Sequence, residues 1–189
     1  MTTQGTLIAA AVAREKFERA VMDMVVASDE VFRTAKAISD GYWAAIEGEA
    51  EKEGAFFRYG VRVKRRVYGV SIEWMKGVPT GTGEARRLLF KSLSRGGGLS
   101  YRRSTFEWAK KWELAQIMKA EAEFAKVRKA SSCLADAGVR MRWVKKVLEQ
   151  GGDIDSTRLS GVLARVEEAC DAVKGLALID FAVEENGVS

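Results

Sequence analysis

The chain has 189 residues, 47% of them hydrophobic and 30% charged, with one Pro; that is apolar material for one medium core, and neither disorder nor a loop-rich all-β fold fits it. Histidine is absent and there are two cysteines, so the commonest general base, the commonest metal ligand, every Ser-His or Cys-His arrangement and a structural zinc site are all excluded. The net charge of +5 is modest, yet residues 56–103 hold 12 Lys and Arg against two acids, Glu73 and Glu84, a local +10 flanked by segments of −4 and −1.

The first predicted element is one long helix, Thr6 to Glu53. Phe17, Val21, Met24, Ser28, Val31, Ala35, Ile38 and Tyr42 recur at alternating steps of four and three, the spacing of a stripe that needs a partner helix. That partner is either another helix of this chain, in a bundle, or a second copy, in a homodimeric coiled coil. Gly41 and Gly48 weaken the last turns, Gly54 is the stop, and Glu47, Glu49, Glu51 and Glu53 read as a solvated helix end.

A β-hairpin follows. Phe57, Tyr59, Val61 and Val63 alternate with Arg58, Gly60, Arg62 and Lys64, and Val67 to Met75 puts Tyr68, Val70, Ile72 and Trp74 on one face. A turn at Arg65-Arg66, or a four-residue loop from Lys64 to Val67, pairs Val63 with Tyr68, Val61 with Val70, Tyr59 with Ile72 and Phe57 with Trp74. On the other face Arg58 then opposes Glu73, and Arg62 opposes Gly69.

Gly77 to Gly83 is a loop; it lacks the Lys-Ser/Thr pair of a phosphate-binding loop and reads as a connector. A short basic helix is expected over Glu84 to Leu93, and a second flexible connection over Arg95 to Ser100. A long helix then starts near Ser104 or Thr105, with Glu107 completing a capping box on Ser104. It runs to Ala130 and, past an irregularity at Ser131-Ser132, to Gln150. Phe106, Ile117 and Phe124 share one face and Trp108 and Trp112 lie nearly opposite, so the hairpin and the first helix are expected to cover its two sides. After Gly151-Gly152, Asp153 or Asp155 caps a last helix, Ser156 to Val183, whose core face carries Leu159, Val162, Leu163, Val166, Cys170, Val173, Ala177 and Phe181. No run of about 18 apolar residues exists to span a membrane. The first residues lack the basic region of a signal peptide. Cys133 and Cys170 read as small buried hydrophobes of a reduced, cytoplasmic protein.

The basic set carries the functional expectation. Arg58, Arg62 and Lys64 share the exposed hairpin face, with Arg65 and Arg66 at its tip; Arg86, Arg87, Lys91 and Arg95 lie on the next element; Arg102 and Arg103 flank Tyr101. An ordinary solvated surface mixes signs because like charges repel, so this concentration asks for a polyanion. Nucleic acid, foremost duplex DNA, is the first reading. An acidic protein surface and a merely soluble face are the others. The excess of Arg over Lys suits bidentate phosphate or guanine contacts, and a two-stranded ribbon fits the major groove, with Arg65 and Arg66 best placed to reach bases.

The Gly60-Val-Arg-Val-Lys strand, the Ser71-Ile-Glu-Trp74 strand end, Tyr101 after the glycines, Trp112-Glu113 and Glu123-Phe-Ala-Lys-Val-Arg128 together resemble the MobI-type auxiliary mobilisation proteins of conjugative plasmids and integrative elements. The resemblance covers residues 56–130. It implies a DNA-processing accessory that recognises an origin of transfer and assists a relaxase, with no strand-cutting activity of its own. It supplies no DNA-contact residues, so the candidate site rests on charge and geometry.

The expected fold is thus α+β and predominantly α: a helical bundle with long N- and C-terminal helices and one basic antiparallel β-hairpin. One domain is expected over 1–189, comprising the long helix (1–55), the basic hairpin and connector (56–103) and the C-terminal helices (104–189). The expected function is DNA binding, without enzymatic activity, cofactor or metal. The alternative is a protein-interaction module, such as an inhibitor that binds an acidic surface of a nucleic-acid enzyme; a carboxylate-based enzyme is the weaker third.

Overall fold

The computed structural model describes residues 3–81, 87–150 and 155–176. Its first element, α1, is a helix of 50 residues, Thr3–Lys52. The stripe read from the sequence is its buried face: Phe17, Met24, Ser28, Val31, Ala35, Ile38 and Tyr42 are buried, joined by Ala20, Ala27 and Ile46, while Val21 is half-buried. The partner is found within the chain, because α2, α3 and the sheet all pack along this face. Gly54 ends the helix in the left-handed region, at φ 56°. The N–H groups of Gly54 and Ala55 reach back to the carbonyls of Glu51 and Ala50 (3.2 and 2.9 Å), satisfying two otherwise orphaned acceptors.

Three antiparallel strands follow in the order β1 (Tyr59–Arg66), β2 (Gly69–Thr80), β3 (Arg87–Ser92). The register differs from the expected one by four residues along β2. Val63 faces Ile72, Val61 faces Trp74, Tyr59 faces Lys76, and Arg62 rather than Arg58 faces Glu73. An even slip returns each side chain to the same face, so the division into apolar and polar faces survives while every pairing changes.

The cause lies in the turn. It is made by Val67 and Tyr68, with Arg65 and Arg66 paired inside β1 opposite Val70 and Gly69. Neither turn residue has positive φ; the left-handed conformation falls instead on Gly69, at φ 114°. The Gly69 N–H donates to Ser28 Oγ on α1 (3.0 Å), and a Cβ at Gly69 would lie 2.2 Å from Ser131 Oγ on α2. Ser131 Oγ in turn bonds Val70 N–H and C=O (2.9 and 3.3 Å). Beside it, Tyr68 lies so close to Gly138 that a Cβ there would come within 2.2 Å of Cδ2. The turn is therefore wedged between the two long helices.

β2 runs to Thr80, so half of the expected Gly77–Gly83 loop is strand. Its far end pairs with β3 (Gly77 with Phe90, Val78 with Leu89, Lys76 with Lys91), which replaces the expected basic helix over Glu84 to Leu93. Pro79 is tolerated because β1 has ended. The Gly77 N–H points to the Arg58 carbonyl (2.7 Å), and two residues on, the missing Pro79 N–H would point past that strand. The rest of that connector and Arg86 fall outside the described residues.

A single 3-10 turn, Arg103–Phe106, precedes α2 (Lys111–Glu149), which runs without a break through Ser131-Ser132. The helix thus starts seven residues after Ser104, whose capping box with Glu107 does not form. Glu113 caps instead, its carboxylate accepting the Lys110 N–H (3.4 Å). Phe106 explains the delay: it is buried edge-on against Tyr59 and Trp74 (centroids 5.3 and 5.4 Å), fixing the preceding turn in the core. α2 packs on α1, on β2 and on α3 (Ser156–Lys174), and Phe106 and Trp108, expected on its two opposite faces, lie before its start. Asp155 caps α3 through the Thr157 N–H (3.2 Å), and Leu159, Val162, Val166, Ala169 and Val173 are its buried face. Asp153 and the expected continuation from Ala177 to Val183 lie outside the described residues. Cys133 and Cys170 are free thiols, half-buried against the core rather than fully enclosed.

Candidate nucleic-acid interface

Three buried charged side chains on α2 set the position of the sheet. Ile117 and Phe124 mark the apolar face of this helix, and Glu113, Glu121 and Arg128 sit at steps of three or four from them. Glu121 and Arg128 form a bidentate ion pair (2.7 and 3.1 Å). Glu121 also accepts the Trp74 indole N–H (2.6 Å) and the Tyr101 N–H (2.8 Å), while Arg128 donates to the Leu99 carbonyl (2.9 Å). One pair thus holds both the middle of β2 and the glycine-rich connection. Glu113 accepts the N–H groups of Arg58 and Tyr59 (2.6 and 2.7 Å), tying the start of β1 to the start of α2. Burial pushes the Glu113 carboxyl above its usual range, with these N–H groups opposing the shift. Trp74, Tyr101, Glu113 and Arg128, which carried the family resemblance, are thus fasteners of the fold.

The cations singled out in the sequence part into two groups. Arg62 and Lys64 do share the outer face of the sheet, but Glu73 lies between them, 2.7 Å from Arg62 and 3.3 Å from Lys64. The Arg62 guanidinium holds the Glu73 carboxyl below its usual range. Arg65 is exposed but lies within β1, not in the turn. It pairs with Asp29 of α1 at 2.6 Å and stacks over Phe32 at 4.7 Å, because the wedged turn brings the end of β1 against that helix. Arg66, the last residue of β1, is exposed and lies beside the docked turn.

The second group gathers at the other end of the sheet, where the structure adds residues that the sequence reading had placed elsewhere. Lys76 and Lys91 are direct cross-strand partners, an arrangement of like charges that costs stability when nothing lies between them. Lys76 Nζ sits 4.6 Å over the ring of Trp108, which is 53% exposed. The Trp108 main-chain N–H donates to the Tyr59 hydroxyl (3.3 Å) and its indole N–H to Glu107 (2.6 Å), so the ring is held in place. Arg58 and Lys110, both exposed, are brought here through their N–H groups on Glu113. Phe56, two residues before Arg58, is 91% exposed. Arg102 and Arg103 are exposed on either side of the 3-10 turn's start, directly after buried Tyr101. Arg87 opens β3 opposite Thr80. Arg95 is half-buried, with its Nε unpartnered.

Lys76, Trp108 and Lys110 escaped the sequence reading because the strand was ended at Met75 and Trp108 was put on a helix. The Trp108-Ala-Lys-Lys111 run, an aromatic beside two cations, was the available signal. Chemically, this end can neutralise phosphates and offer aromatic surface. The groove between α1 and α3, about 610 Å³, differs: Lys16, Arg19 and Lys174 on its rim are balanced by Asp23, Glu167 and Asp171, so it does not select a polyanion. No described helix is long and apolar enough to cross a membrane.

The sequence model of a family described as MobI protein matches residues 31–142, from the middle of α1 through the sheet to most of α2. That is more than half of the chain, and the chain belongs to the MobI family. No curated protein and no solved structure matches it.

Proposed function

We propose that this MobI-family protein serves conjugative mobilisation by binding DNA at an origin of transfer, where it assists a relaxase without cutting a strand itself. The observation that carries the DNA reading is the open end of the sheet. There the backbone brings Arg58, Lys76, Lys91 and Lys110 to one end of the sheet, with Lys76 over the exposed ring of Trp108 and exposed Glu107 on its indole N–H. A fold that places two lysines face to face has a use for the field they make, and a polyanion is the partner that relieves it. Arg102 and Arg103 extend the positive surface along the turn before α2.

Fluorescence anisotropy with the origin-of-transfer duplex of the protein's own element, against a shuffled duplex, tests the proposal at two salt concentrations. Each neutralised phosphate contributes about 0.9 to the log–log salt slope, so four cations give a slope near −3.6, roughly. Tighter binding to the origin duplex than to the shuffled one supports recognition as well as binding. Absence of binding to either duplex at low salt overturns recognition of a duplex origin; if single strands are not bound either, an acidic protein is left as the partner of this surface.

A further inference from the structure

We infer that the open end of the sheet grips unpaired DNA, its bases stacking on Trp108 and Phe56 while Arg58, Lys76, Lys91 and Lys110 hold the phosphates. The inference rests on the nucleic-acid reading above and names the form of DNA that this site selects. Cations alone do not distinguish duplex from single strand; exposed aromatic faces do. A duplex keeps the faces of its bases stacked inside and offers phosphates and groove edges, whereas an unpaired strand can lay its bases on a ring.

Single exposed apolar residues are ordinary on protein surfaces, so exposure by itself decides nothing. Trp108 is different in being both exposed and fixed: its main-chain N–H is on Tyr59, its indole N–H on Glu107, and Lys76 caps the ring at 4.6 Å. A ring held in that way loses little freedom when a base stacks on it, and the lysine over it is already placed for a phosphate. Phe56 presents its ring to solvent two residues before Arg58, whose N–H is anchored on the same Glu113 that anchors Lys110. Aromatic rings among cations are the means by which single strands are held without regard to sequence, and this end of the sheet carries Trp108 and Phe56 together with Arg58, Lys76, Lys91 and Lys110.

The test uses the full chain with a labelled oligo-dT and a mixed-sequence duplex of the same length. Trp108→Leu should bind oligo-dT about tenfold more weakly at an unchanged salt slope, because a stacking contact and not a charge is lost. Duplex binding should be unchanged, Trp108→Phe should recover most of the oligo-dT affinity, and the melting temperatures of all three proteins should agree closely. A wild type that binds duplex but not oligo-dT overturns the inference and leaves the DNA-binding reading standing. So does a Trp108→Leu protein that loses both ligands equally, or neither. Tighter binding of oligo-rU than oligo-dT would overturn DNA as the ligand, and a wild type that binds no nucleic acid removes both proposals together.

Discussion

The two ends of the sheet are built from the same kind of sequence and put to opposite uses. At the turn end, Arg65 is paired with Asp29, Arg62 and Lys64 share Glu73, and Tyr68-Gly69 is wedged between α1 and α2. At the open end, Lys76 faces Lys91, Arg58 and Lys110 are exposed beside them, and Trp108 stands in water. Basic residues therefore do not mark a binding surface by their number. Those at the turn end are already answered by acids, Arg65 by Asp29 of α1 and Arg62 and Lys64 by Glu73 of the neighbouring strand. What distinguishes the open end is that Lys76 and Lys91 are paired with each other across the strands, where Arg62, Lys64 and Arg65 are paired with acids.

If that division is right, substitutions at the supports and at the docked turn should cost stability and spare binding, those at the open end should do the reverse, and those at the neutralised cations of the turn end should spare both. The largest effect is expected from Arg128→Ala, which leaves Glu121 charged and buried without its partner; breaking such a pair costs about 3–5 kcal/mol. Chemical denaturation reads this directly, and a loss of less than about 1 kcal/mol would mean that the pair does not clamp β2 and the Leu99 connection as the distances imply.

Gly69→Ala should come next. It forces a Cβ into a position 2.2 Å from Ser131 Oγ and into a left-handed conformation, at a cost of about 1–3 kcal/mol. Ser131→Ala removes the 2.2 Å overlap but not the backbone strain, so the double variant, read by thermal melting against Ser131→Ala alone, which loses the Val70 hydrogen bonds, separates the two causes. Full rescue would show that the turn tolerates a side chain at φ 114° and that steric overlap alone fixes its place.

Two carboxylates sharpen the comparison through pH. Glu113 has its pKa raised above the usual 4.5 by burial. Just above that value the folded protein keeps a proton that the unfolded chain has lost, so this group lowers stability as pH rises through the window. Glu73 has its pKa lowered by the Arg62 hydrogen bond, so its contribution is present above 4.5 and lost as pH falls through the depressed value. Melting temperatures across the acid range should therefore change in opposite senses in Glu113→Gln and Glu73→Gln relative to wild type. Parallel profiles would place the two groups in similar surroundings and contradict the packing at the start of β1.

These positions also show what the sequence could reveal. The buried face of α1 was legible because a stripe repeated over more than three heptads admits one helical reading. The faces of β1 and β2 were legible through period two, but their register was not, since it depends on Gly69 meeting Ser28, 41 positions away, and Val70 bonding Ser131, 61 positions away. β3 was read as helix because Arg87 to Ser92 is short and its apolar run, Leu88-Leu89-Phe90, suits either element. The family resemblance located Trp74, Tyr101, Glu113 and Arg128 without telling that they are fasteners. Glu121 could have been found, because a charge three residues before Phe124 and four after Ile117 lies on the apolar face of its helix. The open end was the least legible part: it exists only once Lys76 has been paired with Lys91 and Trp108 has been released from the helix.

The smallest expected change in stability belongs to the pair of substitutions that separates the two ends most sharply in function. Arg65→Ala removes an exposed ion pair worth about 0–1 kcal/mol, and Lys91→Ala removes a cation facing another, so neither should alter melting much, and the second could raise it slightly. Binding should tell them apart. Lys91→Ala should weaken DNA binding and shrink the log–log salt slope by about 0.9, the share of one phosphate contact. Arg65→Ala should leave both unchanged, because its guanidinium is already held by Asp29 and Phe32. The reverse outcome, a slope that responds to Arg65 and not to Lys91, would move the interface to the turn end and restore the tip of the hairpin as the DNA-contacting element.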